Sequence, residues 1–134
     1  MSRKLFVNLP VKNLESTKRF FTALGFTFNA KFTDDKAACM VISGEAFAML
    51  LTEPFFRTFT KRDVCNTSTH TEALFTVSCQ SRAEVDKLMN IAIDNGGKHA
   101  DEPKDHGFMY DWGFHDLDGH GWGVMWMDPS FVRK

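Results

Sequence analysis

A chain of 134 residues, 43% hydrophobic and 25% charged, suits one ordinary globular domain or two small halves sharing a core. The formal net charge is −1, with lysine and arginine scattered along the chain, so it lacks the basic stripe that nucleic-acid binding requires. No apolar run is long enough to span a bilayer and no leader pattern is visible, which argues against a membrane partner.

Fourteen phenylalanines against a single tyrosine favour a sheet-rich core under helices, or an aromatic-lined cavity. The three cysteines, Cys39, Cys65 and Cys79, show no CxxC spacing and read as reduced thiols of a cytoplasmic protein. Cys39 and Cys79 lie in apolar runs, where cysteine serves as a small core residue.

In chain order, Lys4 to Val11 reads as a first strand. Asn13 is placed to cap a helix over Leu14 to Leu24, and Gly25 is placed to stop it. Phe26 to Phe32 alternates as a strand, followed by strands over Ala37 to Ile42 and Ala46 to Leu51. A short helical piece from Glu53 to Phe59 follows, with Thr52 as its cap and Pro54 in its first turn. Thr60 to Thr69 is polar and without period, and reads as a linker.

The order then repeats. Thr71 to Cys79 reads as a strand, and Ser81-Arg82-Ala83-Glu84 as a capping box opening a helix that Gly96-Gly97 ends. Lys98 to Asp101 is a short strand and Asp105-His106-Gly107 a polar loop. Met109 to Asp116 and His120 to Met127 form a hairpin around Asp118-Gly119, a pair suited to a two-residue type I′ turn. That turn would place Trp112, Phe114, Gly121, Gly123 and Met125 on one face. Gly113, His115, Trp122, Val124 and Trp126 would then pack against a helix. A longer turn would change this pairing.

Each half thus reads β-α-β-β-β, and an offset of 68 residues lays Val7 on Phe75 and Asn13 on Ser81. The fold class expected is α+β: one domain over residues 1–134, with module one at about 3–59, a linker at about 60–69 and module two at about 70–128. The two modules would form a curved mixed sheet around a cleft.

The front motif Phe6-Val7-Asn8-Leu9-Pro10-Val11-Lys12-Asn13-Leu14-Glu15-Ser16 and the rear motif Asp116-Leu117-Asp118-Gly119-His120 resemble the vicinal oxygen chelate superfamily. That superfamily includes glyoxalase I, bleomycin- and fosfomycin-resistance proteins and extradiol dioxygenases. The resemblance covers essentially the whole chain and is specific for the fold rather than the reaction. It implies metal ligands from the first, fourth, fifth and last strands, at Phe6, about Leu50, Glu72 and Gly123. Only Glu72 has a side-chain donor for a divalent metal, so the usual centre is read as missing and no cofactor is expected. A shift to Met49 on the fourth strand would not restore it. The resemblance also implies a homodimer.

Glu72 shares a strand face with His70, Leu74 and Thr76. Among apolar cleft walls its carboxylate would act as acid or base; the alternative is an exposed or ion-paired glutamate. Asn8 and Phe6 share the expected cleft face, where a buried asparagine would have to satisfy its amide. Trp112, Phe114 and Met125 extend an aromatic floor, for which core packing is the competing explanation. Tyr110 would donate to a ligand or sit half-buried in its strand. Ligand contacts are therefore expected from Phe6, Asn8, Leu50, His70, Tyr110, Trp112, Phe114, Gly123 and Met125, with Glu72 as the candidate catalytic group. His99 and His120 are expected at the surface. A displaced metal site from His70, Glu72 and His106 or His115 is the alternative.

The sequence thus reads as a glyoxalase/bleomycin-resistance-like protein holding a small organic ligand in an aromatic-lined cleft. One alternative is a lactoylglutathione-lyase- or dioxygenase-like enzyme. Another is a non-catalytic structural or interaction module.

Overall fold

The computed structural model describes residues 3–132, which form two compact units, Met1–Cys65 and Asn66–Lys134. The fold is α+β, with one mixed sheet in each unit.

In unit one, β1 (Leu5–Val11) runs parallel to β4 (Ala46–Thr52), which pairs with β3 (Ala37–Val41) and through it with β2 (Thr27–Phe28). Helix α1 (Leu14–Ala23) connects β1 to β2, as the cap signal indicates. Asn13 Oδ1 accepts from Ser16 N at 2.9 Å, and Gly25 ends the helix with φ +98°. Phe20 and Phe21 of α1 are fully buried and meet edge to face, with centroids 5.0 Å apart. Leu9, Val11, Ala38, Met40, Ala48 and Leu50 make up the buried sheet face. Each buried phenylalanine there contributes about 2–3 kcal/mol of transfer free energy.

The expected strand Phe26 to Phe32 stops at Phe28. Asn29 Oδ1 accepts from Lys31 N, and Thr33 Oγ1 donates to Asn29 O, so the chain turns into a 3-10 segment at Ala30–Phe32. The short helix α2 spans Glu53–Phe56 and continues as a 3-10 turn over Arg57–Phe59; Thr52 makes no side-chain cap bond.

In unit two, β5 (Leu74–Ser78) runs parallel to β9 (Gly121–Met127), which pairs with β8 (Met109–His115). Between β5 and β8 come helix α3 (Arg82–Asp94) and two short strands, β6 (Lys98–His99) and β7 (Lys104–Asp105). Both short strands pair with β8. Helix α4 (Pro129–Val132) follows β9. The capping box of α3 is present in altered form. Ser81 Oγ accepts from Glu84 N, but Glu84 Oε1 reaches back to Gln80 N. The sequence indicates β5 from Thr71, yet it begins only at Leu74.

The hairpin differs from expectation in one residue, with large consequences. Asp116 N donates to His120 O at 3.0 Å, so three residues, Leu117, Asp118 and Gly119, make the connection instead of two. Gly119 N donates back to Asp116 O, and Gly119 takes φ +81°, the left-handed position that follows a type I turn in three-residue hairpins. Gly113 therefore faces Gly123, Phe114 faces Trp122, and His115 faces Gly121. A one-residue slip sends a strand's side chains to the opposite face. Trp112 and Phe114 join Trp122 and Val124 instead of the two β9 glycines, and Gly113 and His115 take their place. Phe114, Trp122 and Val124 are buried, along with Val85, Met89 and Ala92 of α3.

Replacing Gly119 with alanine tests this turn. A Cβ there would lie 2.6 Å from Thr67 Oγ1 on a left-handed backbone. Gly119→Ala is expected to cost about 2 kcal/mol or more, read as a lower urea midpoint at unchanged slope.

Candidate functional site

The face of the unit-two sheet turned away from α3 carries a cavity of about 360 Å³. Strand β8 supplies Met109, Asp111, Gly113 and His115, and β9 supplies Gly121, Gly123 and Met125. Leu74 and Thr76 of β5 extend the lining, as do Ala100 and Asp101 in the gap between β6 and β7. The alternation of each strand places these residues on one side of the pleat.

Three glycines form the floor. Gly113 and Gly123 are directly paired across β8 and β9, with Gly121 two residues along. A Cβ built on Gly121 would lie 2.9 Å from Leu74 Cδ2, and one on Gly123 would lie 3.0 Å from Thr76 Oγ1. Glycine interrupts a strand where something must approach the backbone closely. Here larger residues would displace their neighbours or fill the hollow.

Two carboxylates interrupt the apolar lining. Asp101 is matched by Lys104 Nζ at 3.1 Å. Asp111 has the half-exposed His106 imidazole at 3.5 Å, a long contact for a hydrogen bond. Trp112 also contributes to the lining; its indole N–H donates to Asp101 O at 3.0 Å and its ring stacks on His99.

A second polar cluster holds the hairpin end. Asp116, 5% exposed, accepts at Oδ1 from Asp118 N and His120 N, and at Oδ2 from Trp122 Nε1 at 3.0 Å. Burial pushes its carboxyl above the usual carboxylate range; the His120 charge and the three N–H donors pull the other way. His120 is 1% exposed, and its Nδ1 lies 2.6 Å from Glu72 Oε1. Thr67 Oγ1 donates to Asp118 O, so the segment before β5 is tied to the turn at two points.

The structure assembles few of the expected site residues at the cavity. Gly123, Met125 and Trp112 are there. Glu72 is outside the lining, two residues ahead of β5, with its carboxylate on His120. His70 is exposed and contacts Thr69 Oγ1 through Nδ1. Phe114 packs among the buried residues because the longer turn reverses its face. Tyr110 shares that reversed face; its hydroxyl donates to Asp86 Oδ1 of α3 at 2.6 Å, which pushes its pKa up to about 12. In unit one, Leu50 is fully buried, whereas Phe6 and Asn8 are exposed, so Asn8 is not the buried amide expected. Phe6 stacks on Phe47 at 4.9 Å. His120, expected at the surface, is a core residue.

Asp111, Gly113 and His115 were legible only through the correct turn length. The burial of His120 had one local signal, an aspartate four residues earlier whose side chain can fold back on the turn.

The family described as Bleomycin resistance protein-like N-terminal matches residues 3–43. A hypothetical protein from S. aureus superposes with a TM-score of 0.80 at 27% identity, covering 93% of this chain and 94% of its own. A glyoxalase/bleomycin resistance protein/dioxygenase family enzyme from Burkholderia phytofirmans PsJN gives a TM-score of 0.77 at 14% identity, covering 94% of this chain and 99% of its own. The chain has the fold of the glyoxalase/bleomycin resistance proteins. Among superfamily structures, a fosfomycin resistance protein from Mesorhizobium loti also matches, at 10% identity and a TM-score of 0.71, covering 100% and 99% of the two chains. No curated protein sequence matches this one. Among the described residues, no three histidine, cysteine, aspartate or glutamate side chains gather closely enough to hold a metal ion.

Asp116→Asn would set an amide NH₂ against N–H donors. It is expected to cost about 2 kcal/mol in urea denaturation. The carboxyl's folded pKa lies above its unfolded value of 3.8. Its proton-linked stabilisation is therefore full below 3.8 and declines as pH rises through the elevated folded value. The stability difference between wild type and Asp116→Asn should accordingly narrow as pH rises from 3.8.

Proposed function

We propose that the chain binds and sequesters a small organic molecule in the unit-two cavity, without the metal centre that the superfamily resemblance implies. The glycine floor carries this reading. A hollow of about 360 Å³, within the usual range for ligand pockets, is lined by three side-chain-free positions on one sheet face, where added side chains would displace Leu74 and Thr76 from its wall.

The donor set does not fit a divalent metal. At the positions equivalent to ligands, Phe6, Leu50 and Gly123 carry no donor atom, and Glu72 gives its carboxylate to His120. The same hydrogen bond removes support from Glu72 as a catalytic acid or base at the cavity.

We also propose a homodimer. Strands β1 and β5 stand at sheet edges, and Phe6 and Leu74 on them are 51% and 77% exposed. Light scattering should return the mass of two chains. A cytoplasmic location is supported by three free cysteines. No helix among the described residues is long and apolar enough to cross a membrane.

The test is a thermal-shift screen of small heteroaromatic compounds followed by titration calorimetry. Gly123→Val should weaken any compound found by about tenfold or more. Glu72→Gln should lower stability yet leave that affinity within about twofold. Metal analysis of protein purified without chelator should give a substoichiometric content. Stoichiometric metal, or abolished binding in Glu72→Gln, would overturn the reading.

A further inference from the structure

We propose that the cavity takes a small organic carboxylate, with the carboxyl group between Thr76 and His115 and an apolar body toward Met109 and Met125. The inference rests on the ligand-binding reading above and names the class of ligand. Three observations lead to it.

The first is a pair of hydrogen-bonding groups that the protein leaves unused. Thr76 of β5 and His115 of β8 lean onto β9 from opposite sides. Thr76 Oγ1 lies 3.0 Å from where a Cβ on Gly123 would stand, and His115 Cδ2 lies 4.0 Å from the same point on Gly121. Among the described residues, neither side chain makes a hydrogen bond or ion pair. Alternate residues on one strand lie about 7 Å apart. A carboxylate that accepts one hydrogen bond of about 2.8 Å at each oxygen spans that interval. The threonine hydroxyl donates one bond, and Nε2, bonded to the Cδ2 that faces β9, donates the other.

The second is the charge. Lys98 pairs directly with His115 across β6 and β8, so the two side chains leave one face of the sheet about 5 Å apart. Lys98 is exposed and has no carboxylate partner among the described residues. The carboxylates near this face are already matched. Lys104 holds Asp101 at 3.1 Å and pairs directly across the strands with Asp111, which also meets His106 at 3.5 Å. Glu72, two residues before Leu74, is engaged by His120. An anion beside His115 therefore meets an uncommitted ammonium, whereas a cation there meets like charge.

The third is the apolar remainder. Met125 and Met109 line the cavity on the side of Gly123 that points away from His115. Their unbranched thioether chains adapt to an aliphatic or aromatic body. The hollow thus has a polar end for the head group and an apolar end for the rest.

Titration calorimetry with 2-naphthoate, 2-naphthamide and 2-naphthylmethylammonium separates head-group charge from shape. Wild type should bind the naphthoate about tenfold more tightly than the amide, and the ammonium more weakly than either. His115→Gln should remove most of the naphthoate's lead and leave the amide within about twofold. Lys98→Met, at an exposed position, should lower naphthoate affinity about threefold and flatten its salt dependence. An amide or ammonium that binds wild type as tightly as the naphthoate would overturn the carboxylate assignment. So would a His115→Gln variant that keeps the full preference. If His115→Gln loses all three compounds alike, Lys98→Met decides, and an unchanged preference there overturns the assignment. If none of the three binds while other molecules from the screen do, the carboxylate falls and the ligand-binding reading stands. If nothing in either set binds, both fall.

Discussion

The cavity exists because of how one buried carboxylate is satisfied. Asp116 collects two backbone N–H groups from within its own turn and the indole N–H of Trp122. The three donors require a connection of three residues between Asp116 and His120. That length fixes which residue of β8 faces which residue of β9. With side chains alternating at a period of two, nothing downstream of the turn is then free to vary. Phe114 and Trp122 fall together on the helix side, and Gly113 falls with Gly121 and Gly123. Core and hollow are two faces of one register.

This also explains where the sequence was legible. Element order, both long helices and their caps followed from Asn13, Gly25 and Ser81, residues that act on neighbours a few positions away. The fold was readable from the two motifs. Asp118-Gly119 was an equally local signal, but it serves a two-residue turn and a three-residue turn alike, and only the folded-back Asp116 side chain decides between them. The fate of His120 depends on Glu72, 48 residues earlier in the chain, and no periodicity carries that information. The early end of β2 came from the Asn29 side chain accepting from Lys31 N, a choice that the phenylalanine alternation around it concealed.

The two units share a plan but finish it differently. In unit one the sheet face opposite the buried core carries stacked rings, Phe6 on Phe47 at 4.9 Å and 13°. In unit two the comparable strands, β5 and β9, carry Leu74 and Thr76 beside glycines. One module has covered its second face with stacked rings, and the other has set glycines among the side chains of its own. The duplicated architecture thereby carries a hollow in its second module, and the difference lies in a few positions of two strands.

The short strands β6 and β7 give the unit-two sheet an asymmetry of its own. Both pair with β8, two residues each, and Ala100 to Pro103 lie between them. An interrupted border containing a proline offers no continuous ladder of free N–H and C=O groups, so an incoming chain cannot extend the sheet from that side. At the opposite border β5 runs unbroken for five residues without proline. Of this sheet's two borders, only β5 offers another strand an unbroken ladder, so strand addition to this sheet is directed to that one side.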